Sequence, residues 1–141
     1  MGSRVVRPGV APRLVLDTGA LIALERDAAR AYQHLLTAAQ RGFLIVVPTL
    51  VVLEALEGAR APAIVERIVK KIDAELPLLP AVTRQVPGLK RSSGVDSTTD
   101  VVVVLEALAA PGSMILTSDP VDIHRILEAA GAHGRVPVLR V

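Results

Sequence analysis

The sequence predicts an α/β fold built on a parallel sheet with helices over both faces. Short apolar runs at 14–16, 43–47 and 114–117 have the near-continuous hydrophobic character of strands buried on both sides. Amphipathic stretches separate these runs, an alternation that builds βαβ units rather than hairpins.

Taken in order, residues 1–12 carry Pro8, Pro12, two glycines and scattered arginines, and read as a flexible tail ahead of a single domain over 13–141. Residues 13–17 favour a strand that ends at Asp17-Thr18-Gly19, where a turn opens the next element. From Ala20, the residues Leu21, Ile22 and Leu24 recur at helical spacing, and a second helical stretch runs from about residue 28 to Gln40, with Gly42 as its stop. Residues 43–47 form the second strand, closed by Pro48. Thr49 is expected to cap the next helix, which carries Leu50, Leu53, Glu54 and Leu56 and stops at Gly58. Pro62 opens a further amphipathic stretch with Ile64, Ile68 and Ile72 on one side. Residues 75–79 give a short third strand, and Pro87-Gly88 is expected to break any single long helix within 81–93. The next segment is ambiguous, because Val101, Val102, Val103 and Val104 favour a strand while 105–110 favour a helix. A buried helix is predicted, since Ser97 to Asp100 supply N-cap chemistry and Pro111-Gly112 a stop. A fourth strand at 114–117, a helix at 121–130 and a closing strand at 136–141 complete the pattern.

At 141 residues, 51% hydrophobic and 21% charged, the chain has the size and balance of one compact domain. The absence of cysteine excludes a disulfide framework and thiolate chemistry, and agrees with a reducing compartment. No apolar run reaches the roughly 18 residues of a membrane span, and Met1-Gly2-Ser3-Arg4 lacks the start of a secretory signal, so a cytoplasmic protein without a membrane partner is expected. Sixteen Lys and Arg against 14 Asp and Glu leave +2, a narrow imbalance gathered at Arg4, Arg7 and Arg13, at Lys70-Lys71 and at Lys90-Arg91. Tyr32 and Phe43 are the only aromatics, which argues against a base-stacking platform.

In open parallel sheets, ligands bind beyond the carboxyl ends of the strands where the strand order reverses. Asp17 and Asp119 stand at two such ends, and Glu54 and Asp100 fall on helices that reach the same edge. Four carboxylates in one crevice repel unless a cation lies between them, and a hard divalent ion such as Mg²⁺ or Mn²⁺ takes oxygen ligands of this kind. Such sites support phosphodiester hydrolysis without a histidine base, and His34, His124 and His133 look peripheral. Each acid also has a plain reading. Asp17 and Asp119 suit helix starts, Glu54 suits the polar side of its helix beside Glu57, and Asp100 suits a capping box begun by Ser97. Their convergence on one edge is what the plain readings leave unexplained.

The residues that carry these acids resemble a known family. The segment from Leu14-Val15-Leu16-Asp17-Thr18-Gly19 to Glu25 is similar to the opening of a PIN domain, and Pro48-Thr49-Leu50-Val51-Val52-Leu53-Glu54 to its helix-borne acid. Thr99-Asp100 and Leu116-Thr117-Ser118-Asp119-Pro120 resemble its third and fourth acidic positions. The likeness covers the chain from Arg13 to Val141 and is greatest to VapC-type toxins. It implies a three-layer fold with a parallel sheet in the order 3-2-1-4-5 and a Mg²⁺- or Mn²⁺-dependent endoribonuclease. It further implies an RNA substrate of the tRNA or rRNA class, a cognate antitoxin and a homodimer. By the same resemblance, Asp17, Glu54, Asp100 and Asp119 are the catalytic, metal-holding residues. The chain departs from the family at the third acid, where Asp100-Val101 follows Asp96; on one continuous helix the two acids would share a face, and Asp100 fits better. Asp122 either assists the site or is a first-turn helix acid.

Two other functions compete. Asp17 at a strand end also suits an aspartyl phosphoryl-transfer or signalling domain, although no strand-end lysine accompanies it. A PIN-like module that binds RNA or protein without cutting is the other.

Overall fold

A computed structural model describes residues 11–141. Its elements are β1 (Arg13–Leu16), α1 (Thr18–Glu25), α2 (Ala29–Gln40), β2 (Leu44–Pro48), α3 (Thr49–Gly58) and α4 (Pro62–Lys71), followed by β3 (Ala74–Leu76), α5 (Pro80–Ser93), α6 (Thr98–Leu108), β4 (Met114–Thr117), α7 (Pro120–Ala129) and β5 (Val138–Arg140). The strands form one sheet in the order β3-β2-β1-β4-β5, and every pairing is parallel. On one side of β1, Leu14 pairs with Ile45 and Val15 with Val46. On the other, Leu14 pairs with Met114 and Leu16 with Leu116.

The chain steps outward from β1 to β3 and then crosses back to lay β4 and β5 on the other side of β1. Right-handed crossovers put the helices of the outward leg on one face and those of the return leg on the other. The packing follows that division: α1, α3 and α4 lie against one another, as do α5, α6 and α7. Between the two layers, Leu14, Val15, Leu16, Ile115 and Leu116 are wholly buried.

The ambiguous valine run is helical, and the reason is burial on every side. Helix α6 lies on β1, β2 and β4 and is covered by α5 and α7, so Val101 to Ala107 are all buried. A helix with no solvent face has no amphipathic pattern to show, and its sequence reads like a strand. Ser97 fixes its start by accepting a 3.1 Å hydrogen bond from the Asp100 N–H. Glu106 is the exception in this apolar helix. Its carboxylate accepts from Arg13 at 3.2 Å, and the same guanidinium donates to the Glu106 carbonyl, joining α6 to the start of β1. Burial pushes the Glu106 carboxyl upward, against the opposing pull of Arg13.

Several expectations need correction. Pro87 does not break the 81–93 segment; α5 runs through it for 14 residues and ends in left-handed Gly94. Pro87 is exposed, while Val82 and Val86 are buried under α6 and α7, so packing on one face holds the helix despite the missing N–H. Thr49 does not cap α3. Pro48 occupies the cap position, and the Thr49 hydroxyl donates instead to Glu75 at 2.6 Å. Strands β3 and β5 are shorter than expected, three residues each. Of the expected tail, residues 1–10 lie outside the described residues, and the Pro12 carbonyl already accepts from the Leu44 N–H at 2.9 Å.

Replacing Pro87 with Ala restores a donor for the Thr83 carbonyl and removes the ring clash. It is expected to raise stability by about 1 to 3 kcal/mol, read as an increased urea midpoint.

Candidate metal centre

The strand order reverses between β1 and β4, so the crevice of this sheet opens at the carboxyl ends of those two strands. Asp17 follows β1 directly. Its Oδ1 accepts from the Ala20 N–H at 2.7 Å, which caps α1, and its Oδ2 accepts from the hydroxyl of Thr117 at the end of β4. One carboxylate therefore starts a helix and ties two strand ends together. It is only 3% exposed. Burial raises its carboxyl above the ordinary 3.8, hydrogen bonds from Thr117, Ala20 and Ser118 pull it down, and the charge of Asp119 adds to the rise.

Thr117 also accepts from the Asp119 N–H at 2.8 Å, which aims the chain into α7 with Asp119 as N-cap and Asp122 in the first turn. Asp100 lies in the first turn of α6, a helix antiparallel to the β4 that follows it, so its N-terminus reaches the same edge. Asp100, Asp119 and Asp122 each offer a carboxylate oxygen, and these oxygens lie within 4.8 Å of one another. The Asp100 carboxyl is pushed up to about 6, first by burial, then by the charge of Asp17, with Asp119 and Asp122 contributing further. All four aspartates therefore share one field.

Glu54 stands outside that triad but is held toward it. Its Oε1 accepts from Thr18 at 3.1 Å and its Oε2 from the Thr99 hydroxyl. Thr18 follows Asp17 and Thr99 precedes Asp100, so α3 is bridged to the start of both acid-bearing helices. Of the four acids predicted for the site, Asp100 and Asp119 share the triad, Asp17 lies beside it, and Glu54 is reached through two threonines. Asp96 precedes α6 and is exposed, so it does not share a helical face with Asp100. Asp122 has a larger part in the site than a first-turn helix acid would, and its spacing three residues beyond an N-cap aspartate was the available signal. Thr18, Thr99 and Thr117 hold the acids without having been expected to. Their position next to each acid is visible in the sequence, but their partners are not.

The donor set fits a hard divalent cation. The triad offers only carboxylate oxygens, and its sole ion pair among the described residues is Asp122 with Arg125 at 3.9 Å. By contrast, Asp17 is badly placed as an aspartyl nucleophile, being buried with both oxygens engaged. Gly19 permits the close approach of α1 to β4, since a Cβ there would overlap the Cβ and Oγ of Ser118.

This strand order, with helices on both faces and acids at the switch point, defines a PIN-like α/β fold. Among solved structures, a chain of VapBC2 from Rickettsia felis, crystallised bound to a DNA fragment from their promoter, matches with a TM-score of 0.63. The match covers 91% of this chain and 98% of that one at 11% identity, a likeness of fold. No protein-family model and no curated protein matches the sequence. Among the described residues, no helix is long and apolar enough to cross a membrane.

Substituting Gly19 with Ala is expected to cost about 1 to 3 kcal/mol by forcing β1 and β4 apart at their ends, measured by chemical denaturation. The pH dependence has a definite sign. Unfolded, Asp100 releases its proton near 3.8; folded, near 6, so the folded state holds more protons between those values and stability falls as pH rises through them. Asp100→Asn is therefore expected to raise the melting temperature of metal-free protein at pH 7.5. In the unsubstituted protein, the melting shift on adding Mn²⁺ should be larger at pH 7.5 than at pH 5, because cation and proton compete for the same oxygens.

Proposed function

We propose that this protein is a metal-dependent endoribonuclease and the toxin of a VapBC-type pair. The observation that carries the reading is the triad of Asp100, Asp119 and Asp122 at the switch point, with Asp17 alongside. A divalent cation held there would supply Lewis-acid stabilisation of the charge that builds on a phosphodiester during hydrolysis, with Mg²⁺ or Mn²⁺ the ions suited to these ligands. Asp100 and Asp119 would hold it from two different helices, and Asp122 would add a third oxygen. Asp17 contributes negative charge and keeps β1 and β4 in register at the edge where the ligands meet. Glu54, fixed by Thr18 and Thr99, stands within reach of the same edge as an acceptor for a proton or an ordered water. The near absence of aromatic residues leaves the substrate to be held by its backbone, in keeping with a structured RNA of the tRNA or rRNA class.

The VapBC2 neighbour supports an antitoxin as partner for a cytoplasmic toxin. A groove of about 560 Å³ between α2 and α4 suits it: Tyr32, Leu36 and Ile68 line an apolar floor, and Arg67 and Lys71 give it basic edges. That chemistry fits an acidic amphipathic segment. A homodimer accords with the family resemblance.

The deciding experiment is cleavage of total RNA with Mn²⁺, with chelator and with Asp119→Asn. Loss of activity in chelator and a fall of about 100-fold in the variant, with unchanged circular dichroism, are expected. Undiminished cleavage by Asp119→Asn would remove the proposal.

A further inference from the structure

A second groove, of about 430 Å³, adjoins the metal centre and has no part in it. It is lined by Val86, Pro87, Lys90 and Arg91 of α5, and by Asp96 and Thr98 at the entry to α6. Thr98 joins the two features. The Lys90 ammonium donates to its hydroxyl at 3.1 Å, the next residue holds Glu54, and the one after that is Asp100. The groove and the carboxylate triad thus flank the same helix start, on different sides of α6.

Lys90 and Arg91 lie in the last turn of α5, where cations ordinarily complement the helix dipole. Here the Lys90 carbonyl already accepts from the Gly94 N–H at 2.9 Å and the Ser93 hydroxyl at 3.3 Å, and the Lys90 ammonium turns to α6. Neither cation forms an ion pair among the described residues. Two cations without a carboxylate partner among the described residues, beside a cluster of acids, make a charge pattern that a polyanion with regularly spaced phosphates can span. On the nuclease reading the phosphate to be cut would lie at the carboxylates, and a neighbouring phosphate needs positive charge of its own.

We propose that Lys90 and Arg91 seat the phosphate of a nucleotide adjacent to the scissile one and so position the RNA strand. Its sugar rests on Pro87, and Asp96 offers an acceptor to the donors that a nucleotide carries. This assignment rests on the nuclease reading. Continuity with the metal centre favours a nucleic acid over an acidic protein segment, which is the competing occupant.

The test compares the unsubstituted protein with a Lys90→Ala, Arg91→Ala double variant and a charge-preserving Lys90→Arg, Arg91→Lys variant. Readouts are cleavage kinetics in Mn²⁺ and binding of a fluorescent single-stranded RNA oligonucleotide without divalent metal across a salt series. The double alanine variant should raise KM about 10-fold with kcat within about 2-fold, and reduce the slope of log affinity against log salt by about 0.7 for each phosphate no longer neutralised. Its Mn²⁺-induced melting shift should match the unsubstituted protein, and the charge-preserving variant should restore binding. Unchanged KM and salt slope would overturn the proposal while leaving the nuclease reading intact. If the unsubstituted protein cuts no RNA, the nuclease reading fails separately, and the metal-free binding series still decides whether these cations hold RNA.

Discussion

The Asp17 carboxylate is the contact on which the rest of the crevice depends. Through Ala20 it starts α1, and through Thr117 it holds the end of β1 against the end of β4. Thr117 passes the constraint on to Asp119, so the geometry of the triad descends from one buried acid and one hydroxyl. Burying a carboxylate is costly unless its oxygens are satisfied, and here donors from the end of β4 and the first turn of α1 meet that requirement. The opposite end of β1 has its own anchor, where Arg13 reaches Glu106 and the Arg13 N–H donates to the Ser113 hydroxyl at 2.8 Å. The central strand is thereby pinned to α6 and to the approach to β4 at one end, and to α1 and β4 at the other.

Concentrating acids at one edge conflicts with fold stability, and the helices ease the conflict. Asp17, Asp100, Asp119 and Asp122 all sit at the N-termini of helices, where the peptide dipoles present partial positive charge. The three helices that carry these aspartates begin at this edge because the strands end there, or, for α6, because the helix runs opposite to the strand it precedes. Parallel topology therefore supplies part of the compensation. Burial first, and the neighbouring acids after it, still displace Asp17 and Asp100 upward.

Much of this was legible in the sequence. The runs at 14–16, 43–47 and 114–117 could be read as buried strands because both faces of the sheet are covered, and Asp17 and Asp119 stood out, despite each suiting a helix start, because both end strands whose carboxyl ends face one crevice. The helical identity of Val101 to Val104 followed from its flanking cap and stop rather than from periodicity, which a fully buried helix lacks. Continuity of α5 through Pro87 was not legible, since it depends on Val82 and Val86 being covered by elements that come later in the chain. Nor was the balance between Asp96 and Asp122, because it turns on where α6 begins and how α7 is aimed, both matters of one or two residues. The threonine partners of Glu54 lie 36 and 45 positions away and become visible only once the chain is folded.

The tight passage between Gly19 and Ser118 bears on how this protein can change over time. Residues 99 positions apart along the chain share one small volume, so bulk admitted at either is tolerable only if the other gives it up. Drift at these two places is conditional, and a lineage that enlarges one without shrinking the other prises open the seam along which its acidic residues assemble.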